Sequence, residues 1–138
     1  VMGEIEFSFI HDQREVEQGR SAKRYWIGVT GTNGKTSTVG MVESIFKAAG
    51  KHAIACGNVG TPVIEVLTSL DFYEYLIVEL SSFQLHWTST LQLDAAALLN
   101  IDDDHLQLVN SESDSYASRW LGSLEHIEED YIQQLEYM

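Results

Sequence analysis

The fold follows from residues 25–46, which read YWIGVTGTNGKTSTVGMVESIF. The first five residues form a short apolar run that is typical of a buried β-strand. Two glycines in the next segment predict a tight turn, which reads Gly31-Thr32-Asn33-Gly34-Lys35-Thr36. Apolar residues then recur at helical spacing and predict an α-helix; they are Val39, Val42, Ile45 and Phe46.

A strand, a Gly-rich turn and a helix N-terminus together form a cradle for phosphate groups. The glycines let the backbone approach an anion, and the N–H groups and the helix dipole face it. We expect Lys35 to reach the outer phosphates and the Thr36 hydroxyl to bind Mg²⁺. The full P-loop pattern has another Gly at the position of Val29, so this turn is a shortened variant. The alternative is a Gly-rich strand-to-helix turn with a solvated lysine.

Length and composition limit the class of protein. The 138 residues are enough for one domain with a real core. A net charge of −13 argues against nucleic acid or an anionic membrane as a partner. Cys56 is the single cysteine and lies in an apolar run, which predicts a buried thiol and no disulfide framework. Without a signal-peptide pattern or a long apolar span, we expect a cytoplasmic protein.

Further apolar runs predict three more strands, at residues 52–56, 75–78 and 95–101, with helices between them. The run at 75–78 is continuous, which indicates burial on both faces, as in a parallel sheet covered by helices. We therefore predict an α/β fold with a mainly parallel sheet and flanking helices, similar to P-loop NTPases. Residues 3–7 fit either a short edge strand or a helix start, and residues 14–24 fit a connector.

Polar residues follow two of these strands. Glu79 ends the third strand, where an NTPase holds Mg²⁺, although an ordinary strand-end glutamate is the alternative. Residues 81–85 are a predicted loop or helix start at the carboxyl edge, where open α/β folds bind ligands. Asp102-Asp103-Asp104-His105 follows the fourth strand and fits either a second metal site or a solvated acidic run.

The C-terminal segment predicts a helix with one apolar stripe. The stripe consists of Tyr116, Trp120, Leu124, Ile127, Tyr131, Leu135 and Met138. Ten acidic residues and one basic residue lie in residues 101–138, which predicts a solvated acidic face. The stripe fits a helix packed on the sheet, and it also fits a helix that pairs with a second copy in a homodimer.

These motifs together resemble the Mur ligases, ATP-dependent amide ligases of peptidoglycan synthesis. The turn at residues 31–36 resembles the shortened P-loop of that family. Residues 56–62, CGNVGTP, and residues 79–85, ELSSFQL, are most similar to members that add D-glutamate to UDP-N-acetylmuramoyl-L-alanine. Asn100 followed by Asp104-His105 resembles the family segment N-x-x-x-D-H. The likeness covers roughly residues 3–106, the first half of the central ATP-binding domain of the family.

The resemblance implies a role for each matching residue. The ATP phosphates would be bound by Gly31, Thr32, Asn33, Gly34, Lys35, Thr36 and Ser37. Thr36 and Glu79 would bind one Mg²⁺, and Glu79 and His105 would contact a second, so that Lys35, Glu79 and His105 form the catalytic set. Asn58, Ser81 and Gln84 would lie along UDP-N-acetylmuramoyl-L-alanine, with D-glutamate as the second substrate.

The sequence departs from the family after Leu106. Gln107 stands where the family has an aspartate, and no lysine after Lys51 can supply the family's second Mg²⁺ ligand. We therefore divide the chain into a partial Mur ligase central domain, residues 1–106, and a divergent acidic helical segment, residues 107–138, packed on it. The expected protein is a truncated ligase domain that is inactive alone. The alternatives are a non-catalytic nucleotide-binding module and a fold remnant that self-associates through its C-terminal helix.

Overall fold

The computed structural model of the protein describes residues 2–100. Helices and strands alternate along these residues after an initial helix. In chain order they are α1 (Glu4–Glu17), β1 (Tyr25–Thr30), α2 (Lys35–Ala48), β2 (Ala53–Gly57), α3 (Val63–Thr68), β3 (Tyr75–Glu79), α4 (Ser82–His86) and β4 (Ala95–Leu98). The predicted acidic segment at 102–105 and the predicted C-terminal helix, with its dimer, lie outside the described residues.

The strands form one four-stranded sheet in the order β2-β3-β1-β4, and every pair is parallel. This confirms the predicted α/β fold. The central strand β1 places Val29 opposite Glu79 of β3 and Thr30 opposite Leu98 of β4. The carboxyl ends of these three strands are therefore neighbours, and the turn after β1 lies between the segments that follow β3 and β4.

A separate apolar core covers each face of the sheet. On one face, Val39 of α2 packs with Val29, Ala53 and Ile77. On the other face, residues of α1, α3 and α4 pack against Trp26, Leu76 and Val78. Leu76, Ile77 and Val78 are fully buried, which confirms the expectation that β3 is covered on both sides.

The first helix is longer than the sequence pattern indicates. Residues 3–7 begin a helix rather than an edge strand, and the helix runs to Glu17, so the connector is shorter than residues 14–24. The buried side of α1 carries both apolar and polar residues, among them Ile5, Ser8, Phe9 and Asp12. Hydrophobic periodicity detects such a helix poorly, because the polar members are buried through hydrogen bonds rather than through apolar packing.

One strand boundary differs from the prediction, and one helix is capped from a distance. The fourth strand ends at Leu98 rather than at residue 101. Helix α3 begins at Val63 with Pro62 in the N-cap position, and no side chain caps it there. Instead, the Glu4 carboxylate of α1 accepts a hydrogen bond from the Ile64 N–H at 2.9 Å. The cap for this helix end thus comes from a distant part of the chain, which a local pattern does not reveal.

Two other carboxylates of α1, those of Asp12 and Glu6, are buried and accept hydrogen bonds. Asp12 accepts from Arg24 Nη1 at 2.5 Å and from Trp26 Nε1 at 2.9 Å. Glu6 accepts from the backbone N–H and the hydroxyl of both Ser89 and Thr90, at 2.5–3.2 Å. Burial alone would raise the pKa of Glu6, but the hydrogen bonds from Thr90 and Ser89 outweigh it and hold the pKa below its ordinary value. These bonds fasten α1 to the start of β1 and to the segment between α4 and β4.

Candidate functional site

The turn between β1 and α2 has the backbone geometry that its glycines predict. Gly31 has a φ of 143° and Gly34 a φ of 87°, a region that residues with a Cβ rarely adopt. Gly34 is the N-cap, so α2 begins at Lys35 directly after the turn. The helix N-terminus, with its positive dipole end, therefore lies at the carboxyl edge of the sheet.

Lys35 folds back over this turn. Its Nζ donates to the Gly31 carbonyl oxygen at 2.6 Å and lies 3.4 Å from the Thr32 carbonyl oxygen. The ammonium group is thus placed above the loop and beside the helix N-terminus, where it can attract an anion. The contact of Lys35 with the outer phosphates stays a prediction.

Thr36 and Glu79 meet at the end of β3. The Thr36 hydroxyl lies 3.2 and 3.3 Å from the two carboxylate oxygens of Glu79. Glu79 is only 3% exposed, and among residues 2–100 the Thr36 hydroxyl is the one hydrogen-bond donor to its carboxylate. Since a carboxylate can accept about four hydrogen bonds, Glu79 retains capacity for a cation or another donor.

These oxygen atoms fit Mg²⁺ by their chemistry. Mg²⁺ takes oxygen ligands and is usually held by one or two carboxylates together with waters and substrate phosphates. Residues 2–100 contain no group of three or more His, Cys, Asp or Glu that could hold a metal ion by themselves. The pair of Thr36 and Glu79 therefore suits an ion that arrives with a phosphate ligand.

The backbone around Glu79 is fixed from both sides. The Asn58 N–H donates to the Glu79 carbonyl oxygen at 2.9 Å, and the Leu80 N–H donates to the Val29 carbonyl oxygen at 2.9 Å. Gly57 has a φ of 111°, and a Cβ on it would collide with the Glu79 backbone. The glycine in CGNVG is thus needed for contact with the strand that carries the carboxylate, a role that the sequence pattern did not indicate.

Asn100 contacts the turn with both its backbone and its side chain. Its carbonyl oxygen accepts from the Thr32 N–H at 3.2 Å, and its Oδ1 accepts from the Asn33 N–H at 2.9 Å. Its Nδ2 donates to the Asn33 carbonyl oxygen at 2.8 Å. The amides of Thr32 and Asn33 therefore face Asn100. The first-turn amides of α2, from Lys35 to Ser37, have no acceptor within the helix and are placed to face an anion.

Ser81 and Gln84, predicted to contact substrate, hydrogen-bond to each other's backbone. The Ser81 hydroxyl accepts from the Gln84 N–H at 3.2 Å, and Gln84 Oε1 accepts from the Ser81 N–H at 2.9 Å. This is a capping box that starts α4. The S-x-x-Q spacing of residues 81–84 is the sequence signal of this cap.

The structure thus brings Lys35, Thr36 and Glu79 together at one edge. Asn58 is exposed in the segment after β2 at the same edge, and His105 lies outside the described residues.

Two cavities of about 330 and 270 Å³ lie at the opposite, amino edge of the sheet, on either side of Arg24, and contain no predicted site residue. Cys56 is buried as predicted, and burial together with Glu4 and Glu43 raises the pKa of its thiol to about 12.

The sequence matches the model of the Mur ligase middle domain over residues 29–132. The chain belongs to the Mur ligase family. This confirms the resemblance that the motifs indicated. The family match extends beyond residue 106, and the division of the chain at residues 106 and 107 stays a prediction.

Curated relatives that the chain matches share one enzyme name. The chain is 54% identical over 89 residues to UDP-N-acetylmuramoylalanine--D-glutamate ligase of Thermobifida fusca, covering 63% of this chain and 19% of the relative. It is 42% identical over 118 residues to the enzyme of the same name from Nocardia farcinica, covering 86% and 24%. The chain spans about a fifth to a quarter of the length of these relatives.

A last finding concerns membranes. Within residues 2–100, no helix combines the length and the apolar composition needed to cross a bilayer.

Proposed function

We propose that this chain is the phosphate-binding part of an ATP-dependent Mur ligase of peptidoglycan synthesis, which adds D-glutamate to UDP-N-acetylmuramoyl-L-alanine. The names of the relatives support this choice of substrates. The observation that carries the proposal is the Glu79 carboxylate, buried at the end of β3 and contacted by Thr36 at the start of α2. A buried charge with unfilled hydrogen-bonding capacity is unfavourable unless a ligand completes it.

Each group has a task that suits phosphoryl transfer. Lys35 and the first-turn amides of α2 bind the β- and γ-phosphates of ATP and neutralise their charge. Thr36 and Glu79 would hold Mg²⁺, which when bound withdraws charge from the phosphate oxygens. His105 stays the predicted partner of Glu79 for a second Mg²⁺. Asn58, Ser81 and Gln84 stay predicted contacts of the muramoyl substrate, Ser81 and Gln84 from a helix start that their capping box holds rigid.

The proposed reaction forms no covalent intermediate on the protein. A carboxylate oxygen of UDP-N-acetylmuramoyl-L-alanine bonds to the γ-phosphorus, and ADP leaves. The D-glutamate amine then attacks the acyl carbon, phosphate leaves, and the amine loses a proton to give the amide. These steps need positioning and charge neutralisation, which the cluster of Lys35, Thr36 and Glu79 supplies.

Binding without turnover is the expected behaviour of the 138 residues by themselves. A ligase must close over three substrates, and this chain spans about a fifth to a quarter of its relatives. A ligation assay with both substrates distinguishes a working ligase from a nucleotide-binding module, since only the former forms the amide.

The first test is calorimetric titration of the chain with Mg·ATP. We expect measurable binding, and we expect Lys35→Ala to weaken it by about 10- to 100-fold, the value of a charge-assisted hydrogen bond. Lys51→Ala is the matched control, because it removes the same charge from an exposed position beyond the far end of α2. No binding at millimolar ATP, or equal effects of the two variants, would refute the proposal.

A further inference from the structure

We infer that Asn100 is a positioning residue that holds the phosphate loop, residues 31–36, in its binding conformation. The inference rests on the proposed function, because it takes the ligand of this loop to be a phosphate chain. The P-loop pattern of residues 31–36 assigns no role to Asn100, and among residues 2–100 no hydrogen bond joins Asn100 to Lys35 or Thr36. It would act through Asn33.

The side chain of Asn100 pairs with Asn33 at two points. Oδ1 accepts from the Asn33 N–H at 2.9 Å, and Nδ2 donates to the Asn33 carbonyl oxygen at 2.8 Å. A carboxamide can do both because it carries an acceptor and a donor side by side. Two bonds of opposite direction fix the orientation of Asn33 as well as its position. The bond from the Thr32 N–H to the Asn100 carbonyl oxygen adds a third point.

The phosphate loop needs such support because its two glycines allow many backbone conformations. Asn33 and Gly34 are exposed, and Gly31 and Gly34 on either side have positive φ values. Glycines in an exposed turn leave many backbone conformations open, and ordering them on binding costs entropy. Contacts that order the loop before the ligand arrives lower this cost and so increase affinity.

Asn100 is itself anchored to the central strand. The Leu99 N–H donates to the Thr30 carbonyl oxygen at 3.0 Å, directly before the turn. A Cβ on Gly31 would lie 3.2 Å from both the backbone nitrogen and the carbonyl oxygen of Asn100, which shows how closely the two backbones approach. The carboxamide thus extends the pairing of β4 with β1 beyond the ends of both strands. Because Asn100 is exposed, its removal should change the loop more than the global stability.

Hydrogen exchange of the full 138-residue chain without nucleotide, measured by NMR, tests the pairing directly. We expect the Asn33 amide to exchange about tenfold or more slowly than an unprotected exposed amide, because exchange requires opening of its hydrogen bond. Asn100→Leu keeps the side-chain volume and removes both polar atoms, so the Asn33 amide should then exchange about tenfold faster than in the unmodified chain. Gln92→Leu is the control, since it removes an exposed carboxamide at the opposite edge of the sheet.

Titration with Mg·ATP tests the consequence for binding. Asn100→Leu should weaken binding by about five- to tenfold, as expected for one or two ordinary hydrogen bonds, while Gln92→Leu leaves it unchanged. Unprotected Asn33 in the unmodified chain, or unchanged affinity in Asn100→Leu, would overturn the inference. If the unmodified chain binds no Mg·ATP, the proposed function fails, and the exchange comparison alone then decides whether Asn100 holds the loop.

Discussion

Two buried glutamates, Glu6 and Glu79, show how differently one side chain is used in this molecule. Each is 3% exposed. Glu6 accepts four hydrogen bonds from Ser89 and Thr90, whereas the Glu79 carboxylate accepts hydrogen bonds, among residues 2–100, from the Thr36 hydroxyl alone. A carboxylate whose hydrogen-bonding capacity is filled by the protein stabilises the fold. One whose capacity is left open is available to a ligand. The two buried carboxylates of α1, Glu6 and Asp12, have protein partners and belong to the first kind, and Glu79 belongs to the second.

The strongest test of this comparison is Asp12→Ala in α1. The variant leaves Arg24 buried without its partner and leaves the Trp26 N–H without an acceptor. We expect the free energy of unfolding in urea to fall by about 3–5 kcal/mol, as for other broken buried ion pairs. Glu15→Ala breaks the exposed pair with Arg20 and should leave the unfolding midpoint almost unchanged. Equal effects of the two variants would show that burial does not decide the value of these pairs.

The next largest effect is expected for Glu6→Gln. The amide keeps the shape but replaces one acceptor oxygen with a donor that faces Ser89 or Thr90. We expect a loss of about 1–3 kcal/mol in the free energy of unfolding, the value of hydrogen bonds to a charged group and of an unsatisfied one. Glu17→Gln makes the same change at an exposed position of the same helix and should have little effect.

The pH dependence of stability tests whether Glu6 stabilises the fold through its charge. The pKa of Glu6 is lowered in the folded protein, so its contribution is fully present above the ordinary glutamate pKa of about 4.3. That contribution is lost as the pH falls through the lower folded pKa. Urea unfolding at pH 7 and at about pH 3 should show a smaller acid-induced loss for Glu6→Gln than for the unmodified chain. Parallel losses in both proteins would mean that Glu6 does not contribute through its charge.

The smallest effect on stability is expected for Glu79→Gln. Because this buried carboxylate has few hydrogen-bond partners, its neutralisation should leave the free energy of unfolding unchanged or raise it, with any loss below about 1 kcal/mol. The same variant should weaken Mg·ATP binding by about tenfold or more, since a neutral amide is a poor ligand for Mg²⁺. Glu65→Gln, at an exposed position of α3, controls for the change in net charge. A large loss of stability in Glu79→Gln would place Glu79 with the structural carboxylates.

Local features were predicted well from the sequence. The strand, turn and helix at residues 25–46 follow from an apolar run, two glycines and helical spacing, all within a few residues of each other. The burial of β3 follows from its continuous apolar composition. The pattern of residues 3–7 fits both a helix and a strand, because the buried side of α1 includes Glu6 and Asp12, whose hydrogen-bond partners lie elsewhere in the structure. The S-x-x-Q spacing is the local signal of the capping box that Ser81 and Gln84 form, and their contact with substrate stays a prediction.

The sequence by itself determined the Gly-rich turn at residues 31–36, the candidate ligands Lys35, Thr36 and Glu79, and the family, because these follow from motifs that lie within short stretches of the chain. Only the tertiary structure decided which distant residues contact this turn and these side chains. The strand order β2-β3-β1-β4 places Glu79 beside Thr36, Gly57 against the Glu79 backbone, and Asn100 against Asn33. The physical reason is that pairing of parallel strands brings together chain segments that are dozens of residues apart. No local propensity specifies which strands become neighbours.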